Sequence, residues 1–509
     1  MKENKLVRSG VKHIKILTLR RGCILNRLKD SIFYIIVWGA VVLLGFITLL
    51  SAFKSGPASL KLPFYSGFAF ILAAGLVIFI FLKANLLYKI NLKVFLVVLA
   101  LLALIPRLVW IYFIRTQPFS DFLHLYNYGV NASNGDFKGF VDFYAVFPFK
   151  MSFGLALAGL YSVFGTGLLV AKLFNVIISV CLVFIVYAGG KLLYGEKAAR
   201  ISGLLLALWP ADIMFTSVIA SEHLFLVLFT GAVVLILNFI QKYSFRNYGI
   251  ANGNLSLLAI GLLTALAQLI RPMAMLLLPV FAVYVLLFKQ YRADSLASLG
   301  LKVKSILLVF AAYYMAINLI NIPVQKVTGV DVTRSDSGFN LLVGTNDKAN
   351  GMFNDEDFSI IAKYDYDIDR VHAEARKIAI ERITSNPQKL PGLFLRKIDK
   401  LWGNENYGYY WSTTPVKDSM LENTVKSYPR VFYGISQAFY VLVMLMGICA
   451  CFYNLREKRY DVLIVLMIFG GIFLSYLLLE VQSRYHLPVM PLLILLGGSF
   501  LEPAGRGLQ

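Results

Sequence analysis

Residues 93–121 read KVFLVVLALLALIPRLVWIYFIRTQPFSD, and this stretch decides the fold. The apolar run from Lys93 to Ile114 is long enough, at about 1.5 Å per helical residue, to cross a bilayer core of roughly 30 Å. A few residues past its end stands an acid, Asp121. Three further ionisable clusters also sit at the ends of apolar runs: Ser221-Glu222-His223, Arg271-Pro272, and Glu480 through His486. A chain that brings all four to one side of a membrane builds a polar site against lipid. That is the outline of an enzyme taking its substrate from the bilayer.

Composition points the same way. The 509 residues are 58% hydrophobic with a mean hydropathy of +0.70, far above a soluble domain. The net charge of +21 is a topology signal and excludes nucleic acid as a partner, because it is parcelled into a basic leader and short loops between apolar runs. Residues 1–30 carry nine lysines and arginines against Glu3 and Asp30. Such a leader suits the cytoplasmic side, resting on anionic membrane lipid, and it lacks a signal-peptide cleavage pattern. Cys23, Cys181, Cys449 and Cys451 form no disulfide framework or redox motif and read as packing residues.

The expected fold is an all-α polytopic membrane protein of about 12 transmembrane helices. Spans are expected near residues 31–53, 63–82, 93–114, 168–190, 198–219, 224–241, 253–270, 273–288, 305–322, 431–453, 461–479 and 487–503. With both termini cytoplasmic, basic loops such as Lys191 to Arg200 fall inside and all four clusters fall outside. One apolar run, 149–164, must then not cross. It is short, begins with Pro148 and Lys150 and ends at Gly165-Thr166-Gly167, so it is expected along the membrane surface. The resulting domains are a leader (1–30), a transmembrane hairpin (31–92) and a core (93–322) with an external loop at 115–167. An external α-rich segment (323–430), too small to bury a large core alone, and C-terminal spans (431–509) complete the chain. The segment is expected to pack on the surface helices. Its acidic run Asn354-Asp355-Glu356-Asp357 lacks calcium-loop spacing.

Asp121 lies among Phe119, Phe122, Leu125 and Tyr126, surroundings expected to raise its pKa toward that of a useful base. Glu222 sits where a span meets the surface, so it needs a partner or a cavity. Arg271 and Arg484 are natural phosphate ligands, since a guanidinium binds phosphate oxygens in pairs and stays charged in poor solvent. Glu480 and Arg484 are four apart and read as an internal pair.

These residues carry a resemblance. Pro118-Phe119-Ser120-Asp121, Ala207-Leu208-Trp209-Pro210 leading to Ser221-Glu222, Leu269-Ile270-Arg271-Pro272, Gly338 to Gly344, and Ser483-Arg484-Tyr485 resemble the polytopic glycosyltransferase C superfamily over residues 93–503. The branch is that of protein O-mannosyltransferases and the lipid A aminoarabinose transferase. The resemblance implies a polyprenyl-phosphate-linked sugar donor, an extracytoplasmic glycan, lipid or protein acceptor, and inverting transfer. It makes Asp121 the base and Glu222 the second catalytic acid, and places the donor phosphate on Arg271, Arg484, Lys150, Tyr485 and His486. No cofactor is required; a divalent metal, used by related oligosaccharyltransferases, is not indicated. Phe122 after Asp121 departs from the Asp-Glu pair of the protein O-mannosyltransferases, and Phe147-Pro148-Phe149-Lys150 keeps only part of the aminoarabinose enzyme's Glu-Lys-Pro-Pro. The rival classes are a lipid-linked sugar flippase, which would place ionisable groups at mid-span, and a polysaccharide ligase or polymerase, which would not need the early aspartate.

Overall fold

The computed structural model describes residues 3–53, 89–242, 250–289, 295–334, 337–416 and 421–499. The principal helices are α1 (Glu3–Phe53), α2 (Leu92–Phe113), α3 (Asp121–Ser133), α4 (Pro148–Phe164), α5 (Leu168–Ala207), α6 (Glu222–Lys242), α7 (Ile250–Ile270) and α8 (Leu277–Leu287). They continue with α9 (Ser295–Thr328), α10 (Ser337–Gly344), α11 (Ile368–Ser385), α12 (Leu390–Trp402), α13 (Pro429–Glu457), α14 (Leu463–Leu478) and α15 (Met490–Gly497). Among the described residues an isolated bridge between Thr116 and Val416 is the only extended pairing.

Among the described residues eight helices are long and apolar enough to cross a membrane, and the protein is an all-α membrane protein. They do not match the twelve expected spans one for one. The second strand of the expected N-terminal hairpin, 63–82, lies outside the described residues. The expected spans at 168–190 and 198–219 share one long element, α5, kinked at Gly195 where φ is +84°. The segment 273–288 is a short 3-10 turn followed by α8. The last expected span begins as the 3-10 turn Ser483–Val489 before α15. Its 17 residues give α4 a length of about 25 Å, under the bilayer core, and it packs closely against α3.

A charged side chain, Arg107, stands inside an expected span and away from its ends. Pro210 lacks an amide hydrogen and biases Trp209 toward extended backbone, so α5 stops at Ala207 and leaves carbonyls without helical partners. In apolar surroundings such groups must be satisfied by protein. The fully buried Arg107 of α2 donates to the carbonyls of Ala207 (2.9 Å) and Ala103 (2.7 Å), to Ser179 Oγ (2.8 Å) and to Asp212 Oδ2 (2.7 Å). Asn175 caps the carbonyls of Thr216 and Val218. Removing one partner of a buried pair like Arg107–Asp212 costs about 3–5 kcal/mol, so this knot fixes the irregular stretch leading to Glu222.

The basic ends of the helices meet one another. Lys458 pairs with Asp30 and Gln241 bonds Asp461. Lys289 donates to the carbonyl of Ile240, and Arg200 donates to that of Ile90. Arg459 lies over Tyr194, which ties the α5 kink to the same end. The 323–430 segment packs on the loop that joins α3 to α4: Val146 and Phe147 share a buried cluster with Phe339, Leu342, Val343, Val371 and Ala375. His372 holds the carbonyl of Val146 at 3.2 Å. The same segment abuts the end of α14 at Gly344, where a Cβ would stand 2.0 Å from the carbonyl oxygen of Leu478. Only glycine allows that approach. Lys397 of α12 completes the junction, donating to the carbonyls of Gly344 (2.7 Å) and Leu477 (2.8 Å).

Candidate active site

Each polar side chain of the site is delivered by a local break in helix. Ser120 sits at φ +52°, a conformation uncommon for a residue with a side chain, and starts α3 at Asp121. The strained loop before it is tied down: Thr116 Oγ1 donates to the Ser412 carbonyl, and the Gln117 amide to that of Pro415. Pro272 forces Arg271 into extended backbone (φ −149°, ψ 127°), which ends α7 and turns the guanidinium away from the helix line. Glu222 opens α6, where a carboxylate suits the helix N-terminus. Gln482 is extended before the 3-10 turn that carries Arg484 and Tyr485.

These elements enclose a cavity of about 940 Å³. Asp121, Lys150, Glu222, Arg271, Arg484 and Tyr485, from all four clusters and α4, line it together. Lys150 Nζ donates to Asp121 Oδ2 at 2.9 Å between α3 and α4 and rests on the faces of Phe143 and Phe147. Asp121 Oδ1 has no hydrogen bond, and the side chain keeps 40% of its surface open to the cavity. Glu222 Oε1 receives Arg271 Nη2 at 2.5 Å and lies 3.5 Å from Arg484 Nε. That second contact is an ion pair without hydrogen-bond geometry. Arg484 Nε and Nη1, and Arg271 Nε, are buried donors without acceptors. The Arg484 guanidinium lies against Phe122, Trp411 and Tyr485, with ring centroids at 4.9, 5.1 and 5.7 Å. Arg271 therefore faces the cavity.

Three sequence expectations change. Burial pushes the Asp121 carboxyl up, but Lys150 and Arg484 beside it outweigh that, and it lies below the usual carboxylate range. His486 does not face the cavity: it is fully buried, with Nδ1 2.7 Å from the Leu401 carbonyl and Nε2 2.5 Å from Glu405 Oε2. Stacked on Trp402, it spends both ring nitrogens inside the protein and has none for a donor phosphate. Glu480 and Arg484 make no direct ion pair, because extended Gln482 breaks the helical spacing that would bring residues four apart together. Glu480 Oε1 instead receives Gln482 Nε2 (2.9 Å) and Tyr485 Oη (3.3 Å). The Tyr485 hydroxyl is thereby occupied, and its ring forms the floor beneath both arginines.

Sequence reasoning missed His124 and Trp411 on the cavity wall. His124 carried a signal, being three residues after Asp121 on the same helix face; Trp411 carried none. Glu405 was also missed, and it joins Trp209, Tyr407 and His486 in a buried cluster behind the site.

Residues 151–318, about a third of the chain, match the family model of dolichyl-phosphate-mannose-protein mannosyltransferases. The matched stretch begins in α4 and ends within α9, so it includes Glu222 and Arg271, while Asp121, Lys150, Glu480 and Arg484 lie beyond it. No curated protein matches the chain by sequence. Similar solved structures include the Archaeoglobus fulgidus oligosaccharyltransferase in its apo form, at 15% identity over 81% of this chain and 50% of that one, with a TM-score of 0.47. Another is the A. fulgidus oligosaccharyltransferase AglB with an inhibitory peptide and a dolichol-phosphate, at 13% identity over 80% and 50%, TM-score 0.44. A third is ArnT from Cupriavidus metallidurans bound to undecaprenyl phosphate, at 14% identity over 79% and 78%, TM-score 0.34. The chain spans about half the length of the archaeal enzyme.

Proposed function

We propose that this protein is a membrane glycosyltransferase that moves a sugar from a polyprenyl-phosphate donor to the hydroxyl of an extracytoplasmic acceptor, with inversion. The observation that carries the reading is the convergence of Arg484, Arg271 and Lys150 with an ionised carboxylate on one cavity, in whose wall Arg484 Nε and Nη1 and Arg271 Nε lack acceptors. Buried guanidinium donors without partners are costly in the resting protein and favourable once an anion arrives. Lys150, Arg271 and Arg484 bring three positive charges to the cavity wall, where a phosphodiester would meet them. Met275, Pro279, Phe310 and Tyr314 line an apolar arm of the same cavity, and Met275 and Tyr314 also face outward. A prenyl chain lying there reaches the arginines from the lipid. The basic helix ends that gather away from the cavity mark the cytoplasmic side under positive-inside bias.

In this mechanism Asp121 Oδ1 takes the acceptor hydroxyl proton as that oxygen bonds the anomeric carbon. The bond from that carbon to phosphate breaks, and the electron pair stays on the leaving phosphate. Arg484, Arg271 and Lys150 stabilise the second charge that develops there. Glu222 does not touch the reacting atoms; it is a positioning residue that sets the two arginines. No step calls for a resident metal. Acceptor identity rests on the external wall, where Phe353 and Phe358 of the 323–430 segment line the cavity.

The test is transfer by purified protein in proteoliposomes, given undecaprenyl phosphate carrying a radiolabelled sugar and an envelope glycan, lipid or protein fraction. Label moving to an acceptor, with release of undecaprenyl phosphate, is expected. Label that crosses the membrane still bonded to lipid would make the protein a transporter.

A further inference from the structure

Glu480 is an acid that neither the donor grip nor the acceptor base uses. Its backbone amide is pinned to the Asn340 carbonyl (3.0 Å), and it lies in the short loop between α14 and the Arg484 turn. The residue is 8% exposed, yet it lines the cavity. Its Oε1 is saturated by Gln482 and Tyr485, which fixes the carboxyl plane. Its Oε2 has no hydrogen-bond partner among the described residues and is not sealed off from the cavity. A carboxylate oxygen this far from bulk water and without a partner is poised for a ligand donor.

The position says which donor. Glu480 shares the cavity wall with Lys150, Asp121 and Arg484, close enough for the charge of each to act on it. If Arg484 holds the phosphate and Asp121 holds the acceptor hydroxyl, the transferred sugar spans the interval between them. We infer that Glu480 Oε2 accepts a hydrogen bond from a ring hydroxyl of the transferred sugar, making Glu480 the residue that tells a glycosylated donor from the bare lipid phosphate. This inference rests on the donor reading above. Burial pushes the Glu480 carboxyl up, and Asp121 pushes it further, against the opposing hydrogen bond from Gln482 and the charges of Lys150 and Arg484.

The experiment measures dissociation constants of the full-length protein in nanodiscs for undecaprenyl phosphate and for undecaprenyl phosphate carrying glucose, mannose, galactose or arabinose. The expected result is that at least one sugar tightens binding to the wild type about tenfold or more over the bare lipid. Glu480→Leu is expected to lose about 10- to 100-fold for that donor while keeping bare-lipid affinity within about twofold. Glu480→Gln, which retains an acceptor oxygen, is expected to lose less than Leu. The bare-lipid value also reports that each variant is folded. The inference is overturned if Glu480→Leu keeps the sugar increment, if it weakens both ligands equally, or if no sugar adds affinity to the wild type. Wild type that fails to bind even undecaprenyl phosphate would instead remove the donor reading, and this inference with it.

Discussion

Replacing Arg484 with lysine tests the anion site most directly. The guanidinium is 6% exposed, packed on Phe122, Trp411 and Tyr485, and it holds Nε and Nη1 free of any acceptor. A phosphate bound along one edge of the guanidinium takes two parallel hydrogen bonds, and each charge-assisted hydrogen bond contributes about 1.5–3 kcal/mol. Lysine restores one point charge and one such bond but not the second prong, so Arg484→Lys should lose about 1.5–3 kcal/mol, roughly 10- to 150-fold. The charge facing Glu222 is preserved, so folding should hold, and the thermal midpoint is the control. Undecaprenyl phosphate binding in nanodiscs and kcat/KM for transfer are the readouts. Arg271→Lys should fall less, because Arg271 already spends Nη2 on Glu222. If Arg484→Lys binds the lipid phosphate as tightly as wild type and keeps its kcat/KM, the guanidinium edge does not meet phosphate. The placement of the donor then fails.

Asp121→Asn should keep lipid-phosphate affinity and lose turnover by about 10²- to 10⁴-fold, as expected for a general base. Because the Asp121 carboxyl lies below its usual range, its base form is present at higher pH and is lost only as pH falls through that lowered value. Lys150→Met removes the strongest opposing charge, so the acid limb of kcat/KM should move to higher pH; an unmoved limb would discharge Asp121 as the titrating base. Burial brings Lys397 down to about 7, so the unfolded chain binds the extra proton between pH 7 and the usual lysine value. Stability should therefore rise with pH across that window in the wild type, and the slope of thermal midpoint against pH should flatten in Lys397→Met. For topology, single cysteines at Lys150 and Lys197, in a background lacking the native four, should differ: 150 labels with an impermeant maleimide in intact cells and 197 does not. Labelling at 197 would put both on one face and undo the proposed extracytoplasmic site.

Much of this protein was legible in local sequence. Hydropathy runs marked helices such as α2, α6 and α13 because lipid demands about 20 apolar residues and internal backbone hydrogen bonding. Proline told where Arg271 leaves its helix, since its constraint on the preceding residue acts between neighbours. The ends of the runs thus named Asp121, Glu222, Arg271 and Arg484, and the tertiary structure brought them to one cavity. What local pattern did not contain was the state of those groups. Arg107 lies inside an apolar run and meets Asp212 across 105 positions; His486 follows Arg484 closely but finds Glu405, 81 residues away. Asp121 sits among aromatic neighbours in sequence, yet its acidity is set by Lys150 and Arg484, which arrive from other helices. Backbone conformation follows from adjacent residues, so one chain's sequence determines where helices form and break. Burial, pairing and proton affinity depend on charges within a few ångströms in space, and only the packed structure decides which charges those are.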